Sequence, residues 1–433
     1  MRRLLMKRAF LLLLLPICGV SVSADTFWRD KITPSEPAVE HLFAFSVSVS
    51  QNRCIVGTPR DDENGIASGS ACIFRFDGND WLPEQKLVPS DGSPLDEFGS
   101  SVSIHGDTCI VGSPADDDNG PDSGSVYVFR YSEPNWVEQS KLTASDGSEW
   151  AGLGASVSLC ENLLVAGAPG YDDSGRAYIF RFNGSQWRRE AKLADPNATI
   201  DDEFGFAVSI CSDICIVADP NAGLGEAYSG AAYVFRFKDP NWVREDTLTA
   251  PSGSVGDFGF SVSVDGGCCI VGSPNNDING QISGSAYIFR YNGDQDDPNW
   301  IRTRNLLPLD AEPNTLFGSS VCVSGDLCVV GAPYDNDNGD KSGSAYLFRL
   351  AGSKWTQSGK IAAFDGSDLD NFGASVSIDS VNLAAGAPGF NSGTGAAYTF
   401  IPCPRADLSG DCFVGLEDLF ILARQWLTGA DSL

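Results

Sequence analysis

The chain repeats one unit seven times, and no other feature limits its fold as strongly. Phe43, Phe98, Leu153, Phe204, Phe258, Phe317 and Phe372 each precede a proline by sixteen residues, at Pro59, Pro114, Pro169, Pro220, Pro274, Pro333 and Pro388. A valine stands four residues into every copy, from Val47 to Val376. Copies follow one another at 51 to 59 residues. A unit this short cannot bury a core alone, so each copy must be covered by its neighbours.

Each copy reads as four strands. In the second copy Phe98 to Ile104 alternates Ser and Val, which gives one apolar face and one small polar face. Gly106-Asp107 is a hairpin turn, and Cys109 to Pro114 is apolar on both faces, as a buried strand is. Ser125 to Arg130 and Trp136 to Leu142 follow as third and fourth strands. Four antiparallel strands repeated seven times predict an all-β, seven-bladed β-propeller. The last copy stops after its third strand at Phe400, and Phe27 to Ile32 resembles a fourth strand. The N-terminal strand is therefore expected to complete the last blade and close the ring. A solenoid would need no such exchange. Trp28 aligns with Trp81, Trp136, Trp187, Trp242, Trp300 and Trp355, but lies four residues before its closing Ile32 where the others have six. The closing strand should be shorter or bulged.

The formal charge of −28 excludes a nucleic-acid backbone binder and docking on anionic lipid. His41 and His105 are the only histidines, which excludes a three-His zinc site. Residues 1–24 read as a secretory signal peptide, with Arg2, Arg3, Lys7 and Arg8 before the apolar run Ala9–Val20. No later stretch reads as a transmembrane segment. The expected location is secreted, periplasmic or cell-surface, with residues 25–402 as the propeller and 403–433 as a separate tail.

The Phe-Gly starts and Gly-Ser/Ala-Pro ends, such as Phe98-Gly99 with Gly112-Ser113-Pro114 and Phe317-Gly318 with Gly331-Ala332-Pro333, resemble FG-GAP repeats. That resemblance covers residues 27–402 and implies the propeller of integrin α-chains and of many exported bacterial proteins. Calcium-binding integrin repeats carry an Asp-x-Asp-x-Asp-Gly loop between the FG and GAP strands. Here that stretch is a short turn such as Gly106-Asp107, so the integrin site does not carry over.

The acid lies instead after the proline, in Asp61-Asp62-Glu63, Asp116-Asp117-Asp118 and Asp335-Asn336-Asp337, with a weaker form at Asn275 to Gly280. Alternate carboxylates before a glycine can converge on Ca²⁺, so Asp61, Glu63, Asp116, Asp118, Asp335 and Asp337 are candidate ligands. Asp, Asn and Gly also form turns without any ion. In an up-and-down blade the 2–3 loops and 4–1 links share a face. The links are acidic at Asp91, Asp96, Asp201, Asp202, Asp365 and Asp370, so one strongly negative face is expected. The third strand ends in Arg at 75, 130, 181, 236, 290 and 349, read as a structural ion pair.

Cys54, Cys109, Cys215, Cys269 and Cys328 share one second-strand position that takes Leu in two copies, so they read as buried apolar side chains. The best disulfide pair is Cys403–Cys412, near the C-terminus of an exported chain. Asp407, Ser409, Asp411, the Phe413 carbonyl and Asp418 match an EF-hand-type calcium loop, with Cys412 in place of the turn glycine. An apolar stripe from Leu416 to Leu427 predicts a helix after it. Loop and helix resemble a single dockerin type I repeat, which implies a cohesin-like or cell-surface partner. The function expected is an exported, non-enzymatic binding or adhesion module for an extracellular protein or polysaccharide, with calcium as cofactor. The alternative is a glycoside hydrolase or lyase using paired carboxylates on the propeller face.

Overall fold

A computed structural model describes residues 27–223, 229–251, 256–294, 299–380 and 382–402. Its strands form seven four-stranded antiparallel sheets, each in the order first to fourth strand from one edge to the other. Blade 2 is representative, with Ser101–His105, Thr108–Ser113, Ser125–Ser132 and Asn135–Leu142. Blade 7 takes Ser375–Ile378, Leu383–Ala387 and Ala396–Pro402 from the end of the chain and Phe27–Ile32 from its beginning. The ring is thus closed as the sequence predicts.

Two repeated devices join the blades. The first is the serine of the inner strand, whose hydroxyl reaches the unpaired main chain of the next blade. Ser46 and Ser48 Oγ accept from the Val102 and Ile104 amides at 3.1 and 3.2 Å. Ser375 and Ser377 do the same for Val47 and Val49, both at 3.0 Å, across the closing seam. The small polar face of the first strand therefore satisfies edge donors that would otherwise lack partners. The second device is the glycine pair of the FG and GAP motifs. A Cβ on Gly112 would lie 2.0 Å from the Gly154 carbonyl oxygen of the next blade, so no side chain fits there. Phe43, Phe98, Phe204, Phe258, Phe317 and Phe372 are buried between blades, against rings of the third strand. The five second-strand cysteines are fully buried, as expected.

The register of the closing strand corrects the Trp28 alignment. In blades 1 to 6 the outer strand carries one extra residue at a bulge: Glu84, Gln139, Glu190, Glu245, Thr303 and Ser358. Phe27–Ile32 pairs without a shift, and Phe27 faces Pro402 where Trp81 faces Phe76 in blade 1. The shorter alternative is the one realised, and Phe27 rather than Trp28 holds the tryptophan position.

The bulge residue has a task. It turns a side chain toward the next blade and accepts from the indole Nε1 there: Glu84 from Trp136 at 2.9 Å, Glu190 from Trp242 at 2.7 Å, Glu245 from Trp300 at 3.1 Å. Gln139 serves Trp187 at 3.1 Å. Where the preceding bulge holds only Thr303, or no bulge exists, Trp355 and Trp81 Nε1 have no partner among the described residues. The same glutamates hold the arginine of the third strand, as Arg236–Glu245 at 2.6 Å and Arg75–Glu84 at 3.7 Å show. Arg75, Arg181, Arg236 and Arg349 are held in ion pairs, whereas Arg130 lies over the Phe182 ring and Arg290 Nε has no partner among the described residues.

Candidate functional site on the loop face

The 2–3 loops and 4–1 links lie side by side. Leu95 N donates to Ile66 O at 2.8 Å and Glu97 N to Ala67 O at 3.1 Å, and Trp150 N to Pro121 O at 2.7 Å repeats the pattern. Both acidic sets therefore share one face. The opposite hairpin turns are acidic too, but there Asp107, Asp213 and Asp326 pair with Arg53, Arg236 and Arg349.

Each acidic loop is built by its own carboxylates. Asp116 Oδ1 accepts from Asp118 N at 3.1 Å, and Asp117 Oδ1 from Asp122 N at 2.8 Å. Asp61 and Asp335 accept likewise from Glu63 N and Asp337 N, at 3.0 and 3.2 Å. These are turn-forming bonds. The remaining oxygens converge, but on a lysine of the outer strand. Lys141 Nζ lies 2.9, 2.8 and 2.7 Å from Asp91, Asp116 and Asp118. Lys360 Nζ lies 2.8, 3.0 and 2.6 Å from Asp310, Asp335 and Asp337. Lys86 binds Asp61 at 3.0 Å and also Glu63.

The six candidate calcium ligands of the blades are thus brought together in three pairs, each around an ammonium. Ca²⁺ asks for six to eight oxygens at 2.3–2.6 Å, and a second cation beside a lysine in the same cage is repelled. The residues present do not fit the ion, because the chain supplies its own cation. Burial alone would lower the Lys141 pKa, but Asp116, Asp118, Tyr127 and Asp91 outweigh it and hold the ammonium above its ordinary value. Burial opposes ionisation of Asp91, yet Lys141 and Tyr127 keep its carboxyl below the usual range.

The seven copies vary together at this site. The residue two places after the motif proline is Asp in blades 1, 2 and 6, and each has the lysine. Blades 3 and 7 place Tyr171 and Phe390 there, and Lys192 and Lys31 lie 4.0 and 3.4 Å from those ring centroids. Blade 5 has Asn276, and Asn305 takes the lysine's register position opposite Tyr287. Blade 4 has Ala222 and Thr247. The sequence signal was visible as Lys before the last apolar residue of five outer strands, in Lys86-Leu87 or Lys141-Leu142. Its meaning needs the strand register.

Blade 4 departs in a second way. Asp219 occupies the small-residue position of the GAP motif and is fully buried. Its Oδ1 accepts from Glu203 N and Asn221 N, at 3.1 and 3.0 Å, while Oδ2 has no partner among the described residues. Burial pushes its pKa up to about 6. The folded value lies above the unfolded one, so this group's contribution falls as pH rises from about 4 to about 6. Asp219→Asn is expected to raise stability by about 2 kcal/mol at pH 8 and to leave it unchanged at pH 4. Urea unfolding at the two pH values checks this.

Exposed large apolar side chains complete the face. Leu95, Trp150, Ile200, Leu309 and Leu369 stand on the links, and Ile66 and Ile278 on the 2–3 loops. Trp150 is 64 % exposed. Leu95, Trp150 and Leu369 share one repeat position and take φ of 72°, 63° and 67°. That conformation is costly for such residues and is held by the paired loop.

Cys160 and Cys211 hold one repeat position of the inner strands in blades 3 and 4, and Cys211 Sγ lies 3.7 Å from Asp265 Oδ1. The sequence reading passed over this pair. The tail positions Asp407, Ser409, Asp411, Phe413 and Asp418, and the Cys403–Cys412 pair, lie outside the described residues. Among the described residues no helix is long and apolar enough to cross a membrane.

The chain resembles the solved crystal structure of the Saccharomyces cerevisiae Sqt1 at 11 % identity, over 83 % of this chain and 82 % of that one, with a TM-score of 0.45. No curated protein matches the sequence. The family model described as FG-GAP repeat matches seven times, at residues 28–74, 81–129, 136–180, 187–235, 242–289, 300–348 and 355–400. Each match runs from the outer strand of one blade through the third strand of the next, so sequence repeat and blade are offset by one strand. With seven matched repeats spread along most of its length, the chain belongs to the FG-GAP repeat family.

Proposed function

We propose that the protein is an exported, non-enzymatic binding or adhesion module that takes a protein or polysaccharide ligand on its loop face. The observation that carries this reading is the set of exposed apolar side chains there, with Trp150 and Leu95 held in costly backbone conformations. Aromatic anchors surrounded by polar groups suit recognition. The lysine-filled acidic loops act as a rigid polar frame, and the ligand is bound without calcium in the blades. The tail loop, with Asp407, Ser409, Asp411, Phe413 and Asp418, is proposed as a separate calcium-dependent contact to a cohesin-like or cell-surface partner.

A glycan array and a protein pull-down with the whole chain test the reading. Trp150→Ala should weaken capture about tenfold or more. Val137→Ala on the exposed outer strand should leave it unchanged. No ligand in either assay, or equal losses in both variants, would count against the loop face.

A further inference from the structure

We propose that Cys160 and Cys211 are a disulfide-forming pair that clips blade 3 to blade 4 at the hairpin-turn end of their inner strands. They close the strands Ser156–Cys160 and Ala207–Cys211. Ser50, His105, Asp265, Ser324 and Asp379 hold the same position in the other blades.

Side chains at this position reach across to the next blade. Ser50 Oγ accepts from Gly106 N at 3.3 Å, Asp265 Oδ2 from Gly325 N at 2.7 Å and Asp379 Oδ2 from Gln51 N at 2.5 Å. They also meet their own counterparts there, for Cys211 Sγ donates to Asp265 Oδ1 at 3.7 Å. One blade earlier the counterpart of that aspartate is Cys211, and the counterpart of that thiol is Cys160.

The backbone that sets this contact repeats. Ser209 Oγ accepts from Val264 N at 3.0 Å between blades 4 and 5, and Ser158 Oγ from Ile210 N at 3.1 Å between blades 3 and 4. The next turn residue takes φ of 54° at Glu161, 55° at Ser212 and 55° at Gly266. Two residues beyond Ser158, the same register sets Cys160 beside the Cys211–Ser212 peptide. Inner strands bridged by one serine hydroxyl lie within the span of about 4–7 Å between Cα atoms that a disulfide needs. Both cysteines are half-buried, so a small reagent reaches them.

Their chemistry differs from that of the other described cysteines, whose pKa values burial pushes up. Cys160 pulls the Cys211 thiol down to about 6, against burial and Asp265. Cys211 and burial push Cys160 up. Cys211 is thus the attacking thiolate and Cys160 the resolving thiol. The reagent is a small disulfide such as oxidised glutathione. Cys211 Sγ attacks one of its sulfurs, the S–S bond breaks and one glutathione thiolate leaves. Cys160 then loses its proton and attacks Cys211 Sγ, and the second glutathione leaves. The chain gives up two electrons and two protons, and the reagent becomes two thiols. The new bond encloses the other three strands of blade 3 in a covalent loop. It lies on the turn side, away from the acidic loops, so the inference does not depend on the loop-face reading above.

Peptide mapping of the full chain tests it. The reduced chain is treated with oxidised glutathione, its remaining thiols are alkylated, and the unreduced digest is read by mass spectrometry. A linked peptide pair carrying Cys160 and Cys211 is expected, with Tm raised by ~5 °C or more over the reduced chain, because the closed loop is long. Cys160→Ser should stop at a glutathione adduct on Cys211. Cys211→Ser should leave Cys160 at least about tenfold slower to react. Ser50 and Ser324 show that serine fits this position, so both variants keep the fold. Full alkylation of Cys160 and Cys211 after treatment, a bridge from either to another cysteine, equal adduct formation in the two variants, or an unchanged Tm in the linked chain would overturn the proposal.

Discussion

Replacing Lys141 by Met is expected to cost the ring about 3 kcal/mol, one of the two largest effects foreseen for this chain. The reason is specific to Asp116, whose side chain is only 4 % exposed. Without the ammonium, its charge stays buried beside Asp91 and Asp118. The other two carboxylates are about half exposed and contribute little by themselves. Lys360→Met should behave alike, since Asp335 is equally buried. Blade 5 supplies the control. Its Asn276 and Asn305 replace the charged pair with amides. The double variant Asp116→Asn, Lys141→Asn should therefore recover most of the loss. Urea unfolding of the three variants decides the matter. A single lysine variant as stable as the wild type would show that the cage is an exposed ion pair of small worth.

Removing residues 25–32 should have an effect on the order of the whole folding free energy, ~5–15 kcal/mol. Those residues give six register pairs to Ala396–Pro402, bury Ile32 and bring Lys31 to Asp365 at 2.6 Å. Without them the hydrophobic side of blade 7 faces water, and the serine contacts from Ser375 and Ser377 to blade 1 lose their support. Circular dichroism melting should show loss of the cooperative transition. A cooperative melt at nearly the wild-type temperature would mean that the ring holds with three strands in its last blade.

The fold was legible because its evidence is periodic. A motif repeated seven times at fixed internal spacing fixes strand number, hairpin turns and the site of closure, even where single residues mislead. Trp28 is such a case. Its identity suggested the tryptophan position, but the six other outer strands contain a bulge that the N-terminal strand lacks, so Phe27 holds that place. A bulge changes register without changing residue type, and no period reports it. The acidic loops were legible as loops and as members of one face. Their cation was not. Lys141 lies 25 residues from Asp116 and 50 from Asp91, and only the pairing of Tyr127 with Lys141 shows that all three meet. Cys160 and Cys211 were equally silent, since two distant cysteines among many gain meaning only where the repeat sets them on neighbouring inner strands.

The lysine cages make calcium the decisive reagent. Thermal melting of the chain ending at Pro402, in excess EGTA and in millimolar CaCl₂, asks whether the ring needs a foreign cation. The same transition temperature in both is expected, because Lys86, Lys141 and Lys360 already occupy the points where the loop carboxylates converge. A calcium-dependent rise in that shortened chain would contradict it and would place the ion among the blade carboxylates.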